Sequence, residues 1–248
     1  MTVSIGSVVA EVFAPAGHEL ASMGADCIVR VWDADSGRML GELYRHENPG
    51  KGLAYSPDGA RLVSGGGGAG QDIVLWNLAE HSQMATNGTD GYYASDAVWS
   101  PDGAHYVVVS RGSSRIYIYN ADGTLARQSR VGGIPLVSVA HTARYMAVAS
   151  EFGATYIYDY TPQGAYLFRR EMRYDHDVPA LDTEFSPDGS LLATCYLDGV
   201  INIWQTDGWE LACSFEAHEY VEDRVDGCLD GAFSRRGDVY FSVGGDGQ

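Results

Sequence analysis

The chain is expected to be all-β, a series of four-stranded antiparallel sheets, on three observations. Aromatic residues that close apolar runs recur at a near-constant period. Trp32, Trp76, Tyr119, Tyr158 and Trp204 lie 44, 43, 39 and 46 residues apart, matching a four-stranded repeat of roughly 40–45 residues. The turn Ser-Pro-Asp-Gly occurs at 56–59, 100–103 and 186–189, between short apolar runs, as when tight turns join antiparallel strands. Finally, 31 glycines in 248 residues suit a chain with many turns.

The stretch from His176 to Gln205 is the most complete copy of the repeated unit. One run ends at Phe185, the turn Ser186-Pro187-Asp188-Gly189 follows, and the runs Leu191 to Cys195 and Val200 to Gln205 flank a second turn at Asp198-Gly199. A fourth run, Glu210 to Phe215, follows Asp207-Gly208. A tryptophan on the third strand must bury its indole and still satisfy its N–H. Thr194 on the neighbouring strand is placed to accept that bond. His176 on the incoming loop can bond the hydroxyl, and Asp198 can hold the second imidazole nitrogen. A satisfied polar chain of this kind rigidifies one sheet.

His176 nine residues before Phe185, the Ser-Pro-Asp-Gly turn, and Thr194, Asp198 and Trp204 in a His–Ser/Thr–Asp–Trp arrangement together resemble the WD-repeat β-propeller family. The resemblance implies a β-propeller of four-stranded antiparallel blades, with five recognisable repeats plus an incomplete sixth, as a single domain over 1–248. Blades are expected at about 7–45, 50–86, 92–130, 134–172, 177–216 and 225–248. Gln205 stands where the family usually has an aspartate, a departure at a surface turn.

Repeat one keeps Ser22, Asp26 and Trp32 at the same offsets as Thr194, Asp198 and Trp204, without a preceding histidine. Repeat two has His46, Ser64 and Trp76, and its second turn is swollen by the run Gly65 to Gly70, which brings Asp72 too close to the tryptophan. Gly65, Gly67 and Gly70 also match G-x-G-x-x-G. That motif needs a following helix, and Asp72 to Trp76 reads as a strand, so a flexible hairpin tip is expected. Repeats three and four carry Tyr119 and Tyr158 in place of tryptophan and lack the polar chain, so apolar packing is expected to hold them. Repeat six starts from His218, crosses an acidic loop and reaches Ser242 and Asp246. Its third and fourth strands are absent, so the chain is expected to be a piece of a longer propeller, or to take a strand at its C-terminal edge from the parent chain or a partner.

Sixteen basic against 33 acidic residues, a net charge of −17, argue against nucleic acid as a direct partner. No run is long and apolar enough to span a bilayer, and Met1 to Gly6 lack the basic start of a secretory signal. A cytoplasmic protein without membrane contact is expected. Cys27, Cys195, Cys213 and Cys228 show no C-x-x-C spacing. Cys195 and Cys213, on alternate strands of one blade, would be about 9–10 Å apart, too far for a disulfide, so reduced, buried thiols are expected. Thr194, His176 and Asp198 superficially form a hydroxyl–imidazole–carboxylate set. Its partial recurrence at His46/Ser64 and Ser22/Asp26 marks architecture, not one reaction centre. The carboxylates between Glu219 and Asp230 do not follow a calcium-loop order, and no cofactor or metal is expected.

A surface remains. The resemblance implies that incoming loops and second hairpin turns share one rim around a central channel. That rim would gather Glu47, Asp90, Tyr92, Tyr93, Asp175, Asp177, Tyr196, Tyr220, Glu222 and Asp223. Carboxylates interleaved with tyrosines suit an arginine- or lysine-bearing peptide, although Arg111 and Arg115 on the same rim dilute its acidity. The expected role is a non-catalytic protein–protein interaction scaffold that binds a partner protein or basic peptide there. The alternative is a propeller enzyme, a hydrolase or lactonase with a metal or substrate in the channel. It would need polar groups converging from the inner strands, where the sequence offers Val8, Ala54, Val98, Val139 and Ala232.

Overall fold

The computed structural model describes residues 7–67, 72–90, 92–132, 134–161, 163–173, 178–219 and 227–246. These residues form 22 strands and no helix. Sheet one comprises β1 (Val8–Phe13), β2 (Glu19–Gly24), β3 (Ile28–Asp33) and β4 (Met39–Arg45). Sheet two has β5 (Asn48–Tyr55), β6 (Arg61–Gly67), β7 (Ile73–Asn77) and β8 (Ser82–Asn87). Sheet three has β9 (Ala94–Trp99), β10 (His105–Ser110), β11 (Arg115–Asn120) and β12 (Leu125–Arg130). Sheet four has β13 (Leu136–His141), β14 (Tyr145–Ser150), β15 (Ala154–Tyr160) and β16 (Tyr166–Arg173). Sheet five has β17 (Ala180–Phe185), β18 (Leu191–Tyr196), β19 (Val200–Gln205) and β20 (Glu210–Glu216), and sheet six pairs β21 (Cys228–Phe233) with β22 (Tyr240–Gly244). Every sheet is an antiparallel meander in sequence order, so the fold is that of β-propeller blades, five four-stranded and one of two described strands.

The Ser-Pro-Asp-Gly turns show why the chain reverses where it does. The Gly59 amide donates to the Ser56 carbonyl at 2.8 Å, and the Ser56 amide to the Arg61 carbonyl at 2.9 Å. The Asp58 carboxylate accepts from the Ser56 hydroxyl and the Ala60 amide. Proline at the second position pre-sets φ, and glycine takes a left-handed φ, 71° at Gly59, that a side chain would strain. At the corresponding turn of sheet five, hydrogen bonds from Ser186 and then Ser190 hold the Asp188 carboxyl down at about 2. The turns also stack. The Pro15 ring lies 3.8 Å from where a β-carbon on Gly59 would sit, and the Pro57 ring lies equally close to Gly103.

The chain divides into two compact units, Met1–Gly133 and Ile134–Gln248. In the first, Met23, Val29, Leu53, Leu62, Val74 and Trp76 are packed between sheets one and two. Val63, Leu75, Ala97, Trp99, Tyr106 and Tyr119 are packed between sheets two and three. In the second, Tyr145, Ile157, Phe185, Leu192 and Trp209 join sheets four and five, and Cys195, Ile201, Ile203 and Cys228 join five and six. Adjacent residues such as Leu62 and Val63 thus bury against opposite neighbours, so the middle strands read as continuous apolar runs with no alternation. A fully buried side chain of this size contributes about 1.5–3 kcal/mol, against ~0.2–1 for a cross-strand pair. Packing between sheets therefore outweighs pairing along the exposed outer strands.

Where tryptophan is missing from the third strand of sheet three, Tyr119 is buried and stacks on Tyr106, ring centroids 5.0 Å apart. Trp99 donates its indole N–H across to the Ala54 carbonyl at 3.2 Å. In sheet four, His141 bonds the Tyr166 hydroxyl at 3.0 Å, so that blade is not held by apolar packing alone.

Two expectations are corrected. Gly65 to Gly67 are not a hairpin tip: they are buried within β6, because a β-carbon there would collide with Ala94, His46 and Tyr93 in turn. Gly68 to Gly70 lie outside the described residues. The cysteines are not all reduced and buried either. Cys195 and Cys228 form a disulfide with Cα atoms 5.4 Å apart, Cys213 is exposed and Cys27 half-buried. The sequence argument compared cysteines within one blade, whereas β18 and β21 meet across two. In protein purified without reductant, Cys213 is expected to be alkylated under native conditions. A non-reducing digest should yield the Cys195 and Cys228 peptides as one species that separates on reduction; two separately alkylated peptides would refute the pairing.

Candidate functional site

The polar chain expected behind the tryptophans is made in sheets one and two. Trp32 Nε1 donates to Ser22 Oγ at 2.8 Å, and Trp76 Nε1 to Ser64 Oγ at 2.9 Å. His46 Nε2 lies 2.9 Å from the same Ser64 hydroxyl. Burial pushes the His46 imidazole down to about 4. Asp26, lacking a histidine to hold, takes a bidentate bond from Arg30 at 2.7 and 3.1 Å. Arg30 in turn reaches Glu42 at 3.1 Å. Its guanidinium, first by hydrogen bonding, holds the Asp26 carboxyl below the usual range.

Sheet five departs from this. Thr194 and Trp204 stand in the register of Ser64 and Trp76: Trp204 faces Leu192 as Trp76 faces Leu62. Yet Thr194 Oγ1 and Trp204 Nε1 are buried with no hydrogen-bond partner among the described residues. Asn202, opposite Thr194, leaves both amide atoms in the same state. The expected bond is therefore corrected. β-branching restricts the threonine rotamer, and the hydroxyl does not aim at an indole that leans on the sheet-four cluster. Asp198 accepts from the Val200 amide at 3.1 Å. His176 lies outside the described residues.

Sheet six holds a set that the sequence reading noted without assigning. His218 places Nε2 2.9 Å from Ser242 Oγ and Nδ1 3.1 Å from Asp246 Oδ1. Asp246 also accepts from the Glu219 amide. The signal was the four-residue offset from Ser242 to Asp246, the same as from Thr194 to Asp198.

Four of the residues expected at the rim, Glu47, Asp90, Tyr92 and Tyr93, lie on the first unit. Asp72 is buried, and its carboxylate accepts from the Thr89 hydroxyl at 2.9 Å and the Thr89 amide at 3.4 Å. Thr89 Oγ1 also bonds the Tyr92 carbonyl, so the loop leading into β9 is pinned from below. On that loop Tyr92 and Tyr93 stay 46% and 55% exposed. Each ring rests on a glycine: a β-carbon on Gly112 would run into Tyr92, and one on Gly67 into Tyr93. Asn48 Nδ2 donates to the Gly67 carbonyl at 3.1 Å, tying the segment that carries exposed Glu47 to the same strand end. Asp90 is exposed, but its carboxylate is engaged by Arg115 and by the Tyr117 hydroxyl.

Of the expected rim, Glu47, Asp90, Tyr92 and Tyr93 are therefore surface groups on this unit. Tyr196 is not: it is 1% exposed, packed with Ala149, Ala180 and Val178 where β18 turns inward, and is corrected from rim to core. Asp175, Asp177, Tyr220, Glu222 and Asp223 lie outside the described residues. Among the described residues no three His, Cys, Asp or Glu side chains are gathered as a metal set.

Residues 89–202 match the profile of a family of unknown function (DUF5711). The chain is also similar to curated proteins at low identity. It is 26% identical to a p21-activated protein kinase-interacting protein 1-like protein of Danio rerio, over 75% of this chain and 49% of that protein. It is 24% identical to a WD repeat-containing protein WDS homolog of Arabidopsis thaliana, over 91% of this chain and 44% of that one. Actin-interacting protein 1 of Drosophila melanogaster is 22% identical over 88% of this chain and 36% of its own length. The chain thus spans less than half the length of these relatives. Repeated four-stranded blades and pinned indoles define a repeat protein with β-propeller blades. Over much of its length, at low identity, the chain is similar to WD-repeat proteins.

Two outcomes follow from the polar chain. Ser64→Ala strands the Trp76 N–H and should cost about 2–4 kcal/mol, since each buried group left unpaired costs ~1–3. Thr194→Val replaces a hydroxyl unpartnered among the described residues by a methyl and should change stability by less than about 1 kcal/mol. Urea unfolding of the two variants, giving equal losses, would contradict the difference between the blades. The second concerns pH. The unfolded chain binds a proton at His46 near 6.5 and the folded chain only near 4. Between these values the unfolded state holds more protons, so stability falls as pH falls, by up to ~3 kcal/mol. His46→Gln should flatten the slope of unfolding free energy between these pH values.

Proposed function

We propose that the scaffold holds its partner through an arginine- or lysine-bearing segment laid on the first unit's rim, across Tyr92 and Tyr93 with Glu47 beside them. The observation that carries this reading is the pair of exposed tyrosine rings seated on glycines and fixed by a loop that Asp72 and Thr89 anchor. Rigid aromatic anchors lose little entropy on binding, and a cation over such a face gains about 0.5–2 kcal/mol. Asp90 contributes less than the sequence suggests, because a partner's cation must compete with Arg115. Two of the relatives are named for proteins with which they interact, kinase and actin, which supports protein as the class of partner. The overall charge of −17 favours a basic segment over nucleic acid. A cytoplasmic setting remains part of this reading. β22 pairs only with β21 among the described residues, and its outer edge would take a strand from a longer parent chain or from a partner.

The test uses fluorescently labelled arginine-rich, lysine-rich and glutamate-rich peptides and reads binding by anisotropy. The basic peptides should bind and the acidic one should not bind at the rim. Tyr92→Ala with Tyr93→Ala should weaken basic-peptide binding about tenfold or more, with thermal unfolding unchanged. Undiminished binding by that folded double variant would remove the rim from the reading.

A further inference from the structure

Sheet six has two described strands where each of the others has four, and a two-stranded hairpin is marginally stable at best without something to pack on. Its support is sheet five. Ala193, Cys195, Ile201 and Ile203 form one cluster with Cys228, and Phe233 and Tyr240 pack against it. A hydrogen bond from the Gly231 amide to Asp182 on β17, at 3.1 Å, adds to this contact. The Cys195–Cys228 bond crosses from one sheet to the other and joins residues 33 apart in sequence. Both cysteines are fully buried, so a reductant reaches the sulfurs only when the hairpin lifts from sheet five. The Tyr240 hydroxyl lies 3.3 Å from the Cys195 sulfur, its ring seated on Gly231, where a β-carbon would collide with it. Burial, ahead of the nearby carboxylates, pushes that hydroxyl well above its ordinary range. It therefore keeps its proton and is placed to donate it to the sulfur once the S–S bond is broken. Cys27 and Cys213 are free, so among the four cysteines of the chain this pair alone responds to a reductant by losing a bond.

We propose that the Cys195–Cys228 bond is a redox-operated clasp. As a disulfide it holds sheet six shut on sheet five; as two thiols it lets the hairpin open and uncover the apolar face of sheet five around Ile201 and Ile203. The exchange partner is a dithiol. One of its thiolates attacks a sulfur of the pair, breaking the S–S bond and forming a mixed disulfide, and its second thiolate then closes the dithiol into its own disulfide. Two electrons pass to the protein, and the two released cysteine sulfurs take up the two protons that the dithiol gives up. A disulfide of the same class reverses the step. The physical effect lies mainly in the open state, because a cross-link restricts the freedom of the opened chain and its loss restores it.

The test follows the whole chain by hydrogen exchange and by differential alkylation of Cys195 and Cys228. Measurements are made before dithiothreitol, after it, and again after reoxidation with oxidised glutathione. Under native conditions dithiothreitol should convert the pair to two alkylatable thiols. Amides of β21 and β22 should then exchange about tenfold or more faster, while those of β14 and of sheets one to three keep their rates, and reoxidation should restore the slow exchange. Cys228→Val, with Cys228→Ala as a second variant should the first fail to fold, should show fast exchange in β21 and β22 that dithiothreitol no longer alters. Equal exchange in the oxidised and reduced wild-type chain overturns the proposal. A bond that excess dithiothreitol leaves intact also overturns it, as does protection lost throughout β13 to β20 on reduction, since either result makes the disulfide a permanent staple of the second unit.

Discussion

A tryptophan buried between two sheets brings one N–H that water can no longer reach, and the arrangement of sheets one and two follows from where that proton goes. Ser64 takes it from Trp76 and bonds His46 with the same oxygen. One hydroxyl thereby links the third strand, the second strand and the loop arriving from the preceding blade. The indole then serves as packing for the neighbouring sheet, since Trp76 belongs to the cluster shared by sheets one and two. Where the hydroxyl is a threonine's, the register is the same and the bond is absent. Register alone therefore does not make the chain; the side-chain rotamer must also agree.

The rim in the first unit grows out of the same economy of space. His46 can reach Ser64 only because Gly66 lets its ring lie against the strand, and the next residue, Gly67, gives Tyr93 a similar seat. Asp72, displaced from the role its counterparts have, turns instead to Thr89 and fixes the loop that presents Tyr92 and Tyr93. A glycine-rich strand end thus joins the interior hydrogen-bond chain to the exposed aromatic surface. The outer strands obey a different constraint. With nothing beyond them to pack against, their side chains set only charge and contact surface. β16 and β20 carry opposite charge although they occupy equivalent places in adjacent blades.

The repeat was legible because its markers are local. Turns need glycine at a left-handed φ, strands with both faces buried need unbroken apolar runs, and each four-stranded blade lies within one stretch of chain. The Ser22–Trp32 and Ser64–Trp76 pairs followed from offsets for the same reason. Less of the candidate site could be read. Tyr92 and Tyr93 were recognisable as loop residues, but their seats on Gly112 and Gly67 join segments separated by 20 and 26 residues. The burial of Tyr196 depends on Ala149 of the preceding blade.

By itself the sequence determined the class of fold, the succession of strands and turns, and the residue types able to satisfy a buried indole, because these depend on backbone conformation and on neighbours a few residues away. Only the tertiary structure decided which hydroxyls meet their indoles, that Arg30 replaces histidine beside Asp26, that Cys195 meets Cys228, and that Arg115 quenches Asp90. Each of these is a contact between side chains on different strands or blades, whose distance is set by packing and rotamer and leaves no periodic trace in the chain.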